Sequence, residues 1–169
     1  VGGVAVLDNS VSHVGNYGIW VDVASGGATI SNNNLATIGN IGIYAVSIAG
    51  TTIGGNTIDY ASTGVFADHT GATRVLDNSV TNTGGDGIDV QFADDVSVNG
   101  NTLSTIGGNG ILATTVGATT IANNRLDHVT DDGIDVTYTG NAVVVSGNTL
   151  STIGGAGIFA LIVGSTTID

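Results

Sequence analysis

Apolar residues recur along this chain in short alternating runs, never at the 3.6-residue interval that marks an amphipathic helix. They also recur at a longer period. An Asn in the setting apolar-x-x-Asn-x-apolar occupies positions 9, 33, 56, 78, 101, 124 and 148, at spacings of 24, 23, 22, 23, 23 and 24 residues. Asn9, Asn33, Asn56, Asn78, Asn101, Asn124 and Asn148 are preceded by an apolar ladder of Val6, Ile30, Ile53, Val75, Val98, Ile121 and Val145, continued by Ile168. A third ladder, Gly-Ile/Val-x-Val/Ala, begins at Gly18, Gly42, Gly64, Gly87, Gly110, Gly133 and Gly157. Ladders locked in phase over the whole chain define a repeat architecture. One period predicts a strand at Thr119–Ile121, a corner at Asn124, a strand at Leu126–Val129, a turn at Thr130–Gly133 and a strand at Ile134–Val136. Ile121, Leu126, Val129, Ile134 and Val136 are expected to point inward. The fold class is all-β: a right-handed parallel β-helix, a solenoid of about seven coils of 22–24 residues with three short strands each. The hand follows from the right-handedness of parallel crossovers. A leucine-rich repeat is disfavoured, because the strands carry mainly Ile, Val and Ala. Seven coils at about 4.8 Å per strand spacing make a rod of about 34 Å.

The Asn ladder has a structural reading: amides at a corner can hydrogen-bond along the axis, as in other stacked-strand assemblies, or each Asn can supply a left-handed turn. Composition sharpens the fold. There are 28 Gly and 16 Asn, and Pro, Cys, Met, Lys and Glu are absent. The polar vocabulary is that of turns and the apolar one that of strands. A net charge of −12, with two Arg and fourteen Asp, argues against a nucleic-acid partner or an anionic membrane surface. No apolar run is long enough for a transmembrane helix, so membrane insertion is not expected. Without Cys there is neither a disulfide framework nor a thiolate metal site. Composition and repeat together suggest a secreted or cell-surface location.

The segments GNTLSTIGGNGILA (100–113) and GNTLSTIGGAGIFA (147–160) resemble the repeats of the pectin-lyase-like superfamily of right-handed parallel β-helix proteins. The likeness extends over essentially the whole chain at the level of fold. That superfamily includes pectate lyases, polygalacturonases, alginate epimerases, phage tailspikes and surface adhesins, so the resemblance implies a fold and not one function. DNSVTNTGGDGIDV (77–90) matches NNRLDHVTDDGIDV (123–136) at a shift of 46 residues. Near-duplicate coils favour a structural array, since an enzyme site needs one coil to differ from its neighbours. The expected organisation is a single β-helix domain over 1–169, a segment of a longer solenoid or a unit that stacks end to end, because neither end shows the polar cap that repeat proteins require.

Candidate chemistry concentrates on one face. Asp89 and Asp135 hold the same outward position two coils apart, about 9.6 Å, at the wide edge of an inverting glycosidase pair. With Asp132 they form the alternative catalytic set. Polygalacturonases resemble this in presenting several Asp on one face, but no local motif of that family is present, and the first reading assigns no catalytic residue. Asp86, Asp89, Asp131 and Asp132 are the alternative metal set, with calcium as the ion they would take; the first reading has no metal and no cofactor. Gly84–Phe92 matches most of a calcium nonapeptide, yet that motif works at period nine and its apolar position is Gln91 here. Trp20, Tyr44 and Phe66, in consecutive coils beside Asp22 and Asp68, form an exposed stripe for a ligand or partner. His13, His69 and His128 lack a strained Ser nucleophile and do not suggest a triad. The function read from the sequence is an extracellular structural or adhesive shaft, more non-enzyme than enzyme. Its partners are neighbouring coils or further copies. The alternative is a polysaccharide-binding or polysaccharide-cleaving β-helix acting on acidic sugars.

Overall fold

The structure, a computed structural model, describes residues 2–161 and 164–169 of the chain. Among the described residues each coil follows one recipe of three strands joined by connections of at most five residues. The fourth coil is representative, with strands Ala72–Leu76, Ser79–Thr83 and Ile88–Gln91. Equivalent strands pair parallel, coil upon coil, into three sheets of eight, seven and seven strands. The first sheet runs from Val4–Leu7 to Thr166–Ile168, the second from Ser10–Val14 to Thr149–Ile153, and the third from Ile19–Asp22 to Ile158–Leu161. Among the described residues there is no helix. The result is a parallel β-helix of about seven coils, as the periodicity predicts.

The core follows from the ladders. Ile30, Ile53, Val75, Val98, Ile121 and Val145 stack inward from the first sheet and are at most 1% exposed. Leu35, Ile58, Val80, Leu103 and Leu126 do so from the second, and Ile43, Val65, Ile88, Ile111 and Ile134 from the third. Like thus packs on like along the axis.

Leu126 and Val129 both face inward although three residues apart, which simple alternation does not allow. The backbone supplies the missing half-turn at His128, with φ of 54°. The same slot is left-handed in every coil, at His13, Thr37, Tyr60, Asn82, Thr105, His128 and Thr152. Two further left-handed ladders mark the other corners. One runs Asp8, Asn32, Gly55, Asp77, Gly100, Asn123 and Gly147; the other is Val23, Ser47, His69, Phe92, Thr115 and Tyr138. The left-handed residue of the Asn corner is therefore the one before each ladder Asn, and not that Asn itself.

Each ladder Asn has a different task. The Asn101 side-chain oxygen accepts from the backbone N–H and the side-chain amide of Asn78, at 2.9 and 3.0 Å. The Asn101 amide donates to the Val75 carbonyl and to Asn124 Oδ1, both at 2.9 Å. The pattern repeats from Asn9 to Asn148. Asn33, Asn56, Asn78, Asn101 and Asn124 are each 1% exposed, so the chain of bonds satisfies amides that burial would otherwise penalise. The glycine ladder is required by close approach: a Cβ on Gly110 would sit 2.5 Å from the Gly133 carbonyl oxygen and against Leu126.

Candidate functional site

Strands of the third sheet turn one residue in two outward, and the register aligns those residues into rows. The central row reads Trp20, Tyr44, Phe66, Asp89, Leu112, Asp135 and Phe159. Beside it lies Asp22, Val46, Asp68, Gln91, Thr114 and Thr137. The turn ahead of the sheet adds Asp86, Asp131 and Asp132. One face thus joins the aromatic stripe to both acidic sets expected from the sequence.

The rings of the stripe pack on one another. Trp20 and Tyr44 lie 6.3 Å apart with planes 16° from parallel, and Tyr44 and Phe66 lie 5.4 Å apart at 15°. Near-parallel rings at 5.4 Å are too close to sit side by side in one plane, so they overlap in an offset stack. Tyr17 closes on the flank, 5.4 Å from Trp20 and 5.3 Å from Tyr44. Tyr44 thus lies between two rings, whereas Trp20 ends the stack. Trp20 remains 58% exposed.

Asp89 follows Phe66 in the row and is 7% exposed although it points outward. Phe66 and Leu112 flank it on the neighbouring strands, and Gln91 Nε2 donates to both its oxygens at 2.9 and 3.1 Å. Burial pushes its carboxyl up to about 7; the Gln91 bonds oppose this, and the charges of Asp86 and Asp68 add to it. The simple reading of an outward Asp as solvated fails here, because its large neighbours close over it. Asp135 is half-buried, and one of its oxygens is shut from solvent with no hydrogen-bond donor. Burial raises its pKa, with Asp132 and Asp86 adding to the shift.

The remaining acids have other partners. Asp86 Oδ1 accepts the Asn109 N–H at 2.7 Å, Asn109 Oδ1 accepts the Asp132 N–H at 3.2 Å, and Asp132 Oδ1 accepts the Ala156 N–H at 2.6 Å. These form a second, shorter ladder that ties turn to turn. Asp86 is raised by burial, less so for its Asn109 bonds. Asp131 is exposed in the same turn. Asp68 pairs with His69 at 2.7 Å, and His69 stacks on Phe92 at 4.8 Å. Asp22 is exposed at the edge of the stripe. Among the described residues no three acidic or imidazole groups converge as a metal site would need, so the alternative calcium set is not drawn together.

A cluster on the second sheet escapes sequence inspection. Asp127 accepts from Ser151 at 2.5 Å and meets His128 Nδ1 at 3.0 Å. The carboxylate sits between hydroxyl and imidazole, whereas nucleophile activation requires the imidazole in the middle. The adjacent Asp-His pair was the only signal in the sequence, and its partner lies a full coil away. Two open concavities, of about 450 and 670 Å³, lie along the second sheet and the turn that follows it; two more, of about 330 and 320 Å³, lie on the first sheet. Neither Asp89 nor Asp135 lines any of these four.

Residues 1–150 match a family model described as a right handed beta helix region. No curated protein and no solved structure matches the chain.

Proposed function

The chain belongs to the right-handed β-helix family, and from that premise we propose that it is a structural or adhesive shaft of an extracellular or cell-surface protein. It acts through its surfaces, by axial or lateral contact with neighbouring coils, further copies or other proteins. The observation that carries this reading is uniformity. Among the described residues no connection between strands exceeds five residues, whereas catalytic and binding clefts are usually walled by longer loops on a rigid scaffold. The coils keep the three-strand build. They vary most in the second and third, where the turn ahead of the third strand shortens from four residues to two and then one and that strand lengthens to six. The Asn ladder runs through them.

One observation favours polysaccharide cleavage instead. Burial pushes the Asp89 carboxyl up to about 7, the range suited to a general acid, and Asp135 stands about 9.6 Å away. Against it, the two carboxyls sit on an open sheet face and line none of the four concavities. Incubation with polyuronic acids, read by new reducing ends and unsaturated products, separates the two readings. A shaft yields no turnover. Turnover abolished by Asp89→Asn or Asp135→Ala, with the fold retained, would replace this reading with a polysaccharide-cleaving enzyme. Fractionation of the producing cells should place the protein outside the cytoplasm.

A further inference from the structure

The three sides of the rod differ in what they can meet. Among the described residues the strands of the first sheet carry one charged side chain, Arg74, and no carboxylate. Those of the third carry Asp22, Asp68, Asp89 and Asp135 with no cation. On the second, Asp59 is engaged by Thr81 and Asn82, and Asp127 by Ser151 and His128. A second copy of a chain of net charge −12 is therefore repelled least at the first sheet.

That face holds both a knob and a hollow. Arg74 is exposed and joins no ion pair among the described residues. Beside it an open hollow of about 330 Å³ is lined by Arg74 itself, by Asp95 and by the short side chains of Ser97, Ala118, Thr120 and Val144. Asp95 is exposed, one of its oxygens accepting the Ala118 N–H at 3.3 Å. Thr73 pairs with Val96, so Arg74 and Asp95 stand one coil and two residues apart on the same face. A two-fold axis normal to the sheet and midway between them exchanges their positions, as an isologous contact requires. Each Arg74 then enters the other copy's hollow and meets its Asp95. Face-to-face sheets lie about 10 Å apart, close enough for a long side chain to reach across. Eight strands at about 4.8 Å and a strand length of about 15 Å give two such faces a flat area of about 1,000 Å² in all. That meets the lower bound for a specific interface and places it in the weak, concentration-dependent class.

We propose that the first sheet is a face for a second copy of this chain, on which two rods pack side by side and antiparallel with two Arg74–Asp95 pairs across the axis. This deepens the shaft reading and rests on it.

The intact chain is followed by analytical ultracentrifugation and small-angle scattering over a concentration series. The parent should reach twice the monomer mass with no increase in rod length. Arg74→Ser should weaken dimerisation about tenfold, since it removes both pairs. Arg74→Asp and Asp95→Arg, each shown by circular dichroism to remain folded, should stay monomeric alone. Mixed together they should dimerise, because the mixed pair is complementary at both positions. The proposal is overturned if association lengthens the rod, if the single variants form side-by-side dimers as well as the parent does, or if the mixture stays monomeric. Axial lengthening, or a side-by-side dimer indifferent to these residues, removes only this face and leaves the shaft reading standing. Monomers of the parent at every concentration remove both.

Discussion

Asp89 carries an electrostatic cost that its surroundings relieve only in part. Its unfolded carboxyl ionises near 3.8, and the folded one near 7. Between those values the folded chain holds a proton the unfolded chain has lost, so raising the pH lowers stability across this window. Above about pH 7 both states are ionised and this group adds no further slope. The shift corresponds to a contribution on the order of 4 kcal/mol. Asp86 and Asp135, also raised, act in the same direction. Asp89→Asn should therefore melt close to the parent at pH 4 and clearly above it at pH 8. A melting difference that does not change with pH would show that the carboxylate is not desolvated. The sequence revealed Asp89 as an outward acid, because strand alternation fixes side. It did not reveal the burial, which depends on how Phe66 and Leu112 close over a neighbour one coil away. The same limit hid the bond between Asp127 and Ser151.

At the scale of strands and corners, almost everything was legible because one pattern is written seven times. The strand at Thr119–Ile121 lengthens by one residue to Thr119–Ala122, and the inward set from Ile121 to Val136 is buried. What could not be read was backbone handedness. Residues as unlike as Thr105, Tyr60 and His128 adopt the left-handed region in one slot, although β-branched residues there are unfavourable. Local preference is overruled by the stack above and below. The Asn corner makes the consequence measurable. Asn101→Ala removes the acceptor of the Asn78 amides and the donor to the Val75 carbonyl. With those groups buried, the loss should be about 3 kcal/mol, read from the denaturant midpoint. Asn9, exposed in the first coil, should cost under about 1 kcal/mol when replaced by Ala. Equal losses at both positions would mean that the ladder does not act as a buried network.

For the whole molecule, the solenoid gives a rod whose three sides differ. The first sheet turns out Thr29, Thr52, Arg74, Ser97 and Thr120, a nearly neutral surface. The third turns out rings and carboxylates. Such asymmetry assigns different contacts to different sides, as a shaft that associates laterally would need. It owes nothing to long loops. Function was less legible than fold because the repeat dictates inward residues in every coil and leaves outward ones free, and a free position carries information only through a partner. Electron microscopy of the purified chain over a concentration series tests the shaft reading most directly. The account predicts rods about one β-helix wide that associate end to end or side by side as concentration rises. Strictly single short rods at every concentration would contradict it.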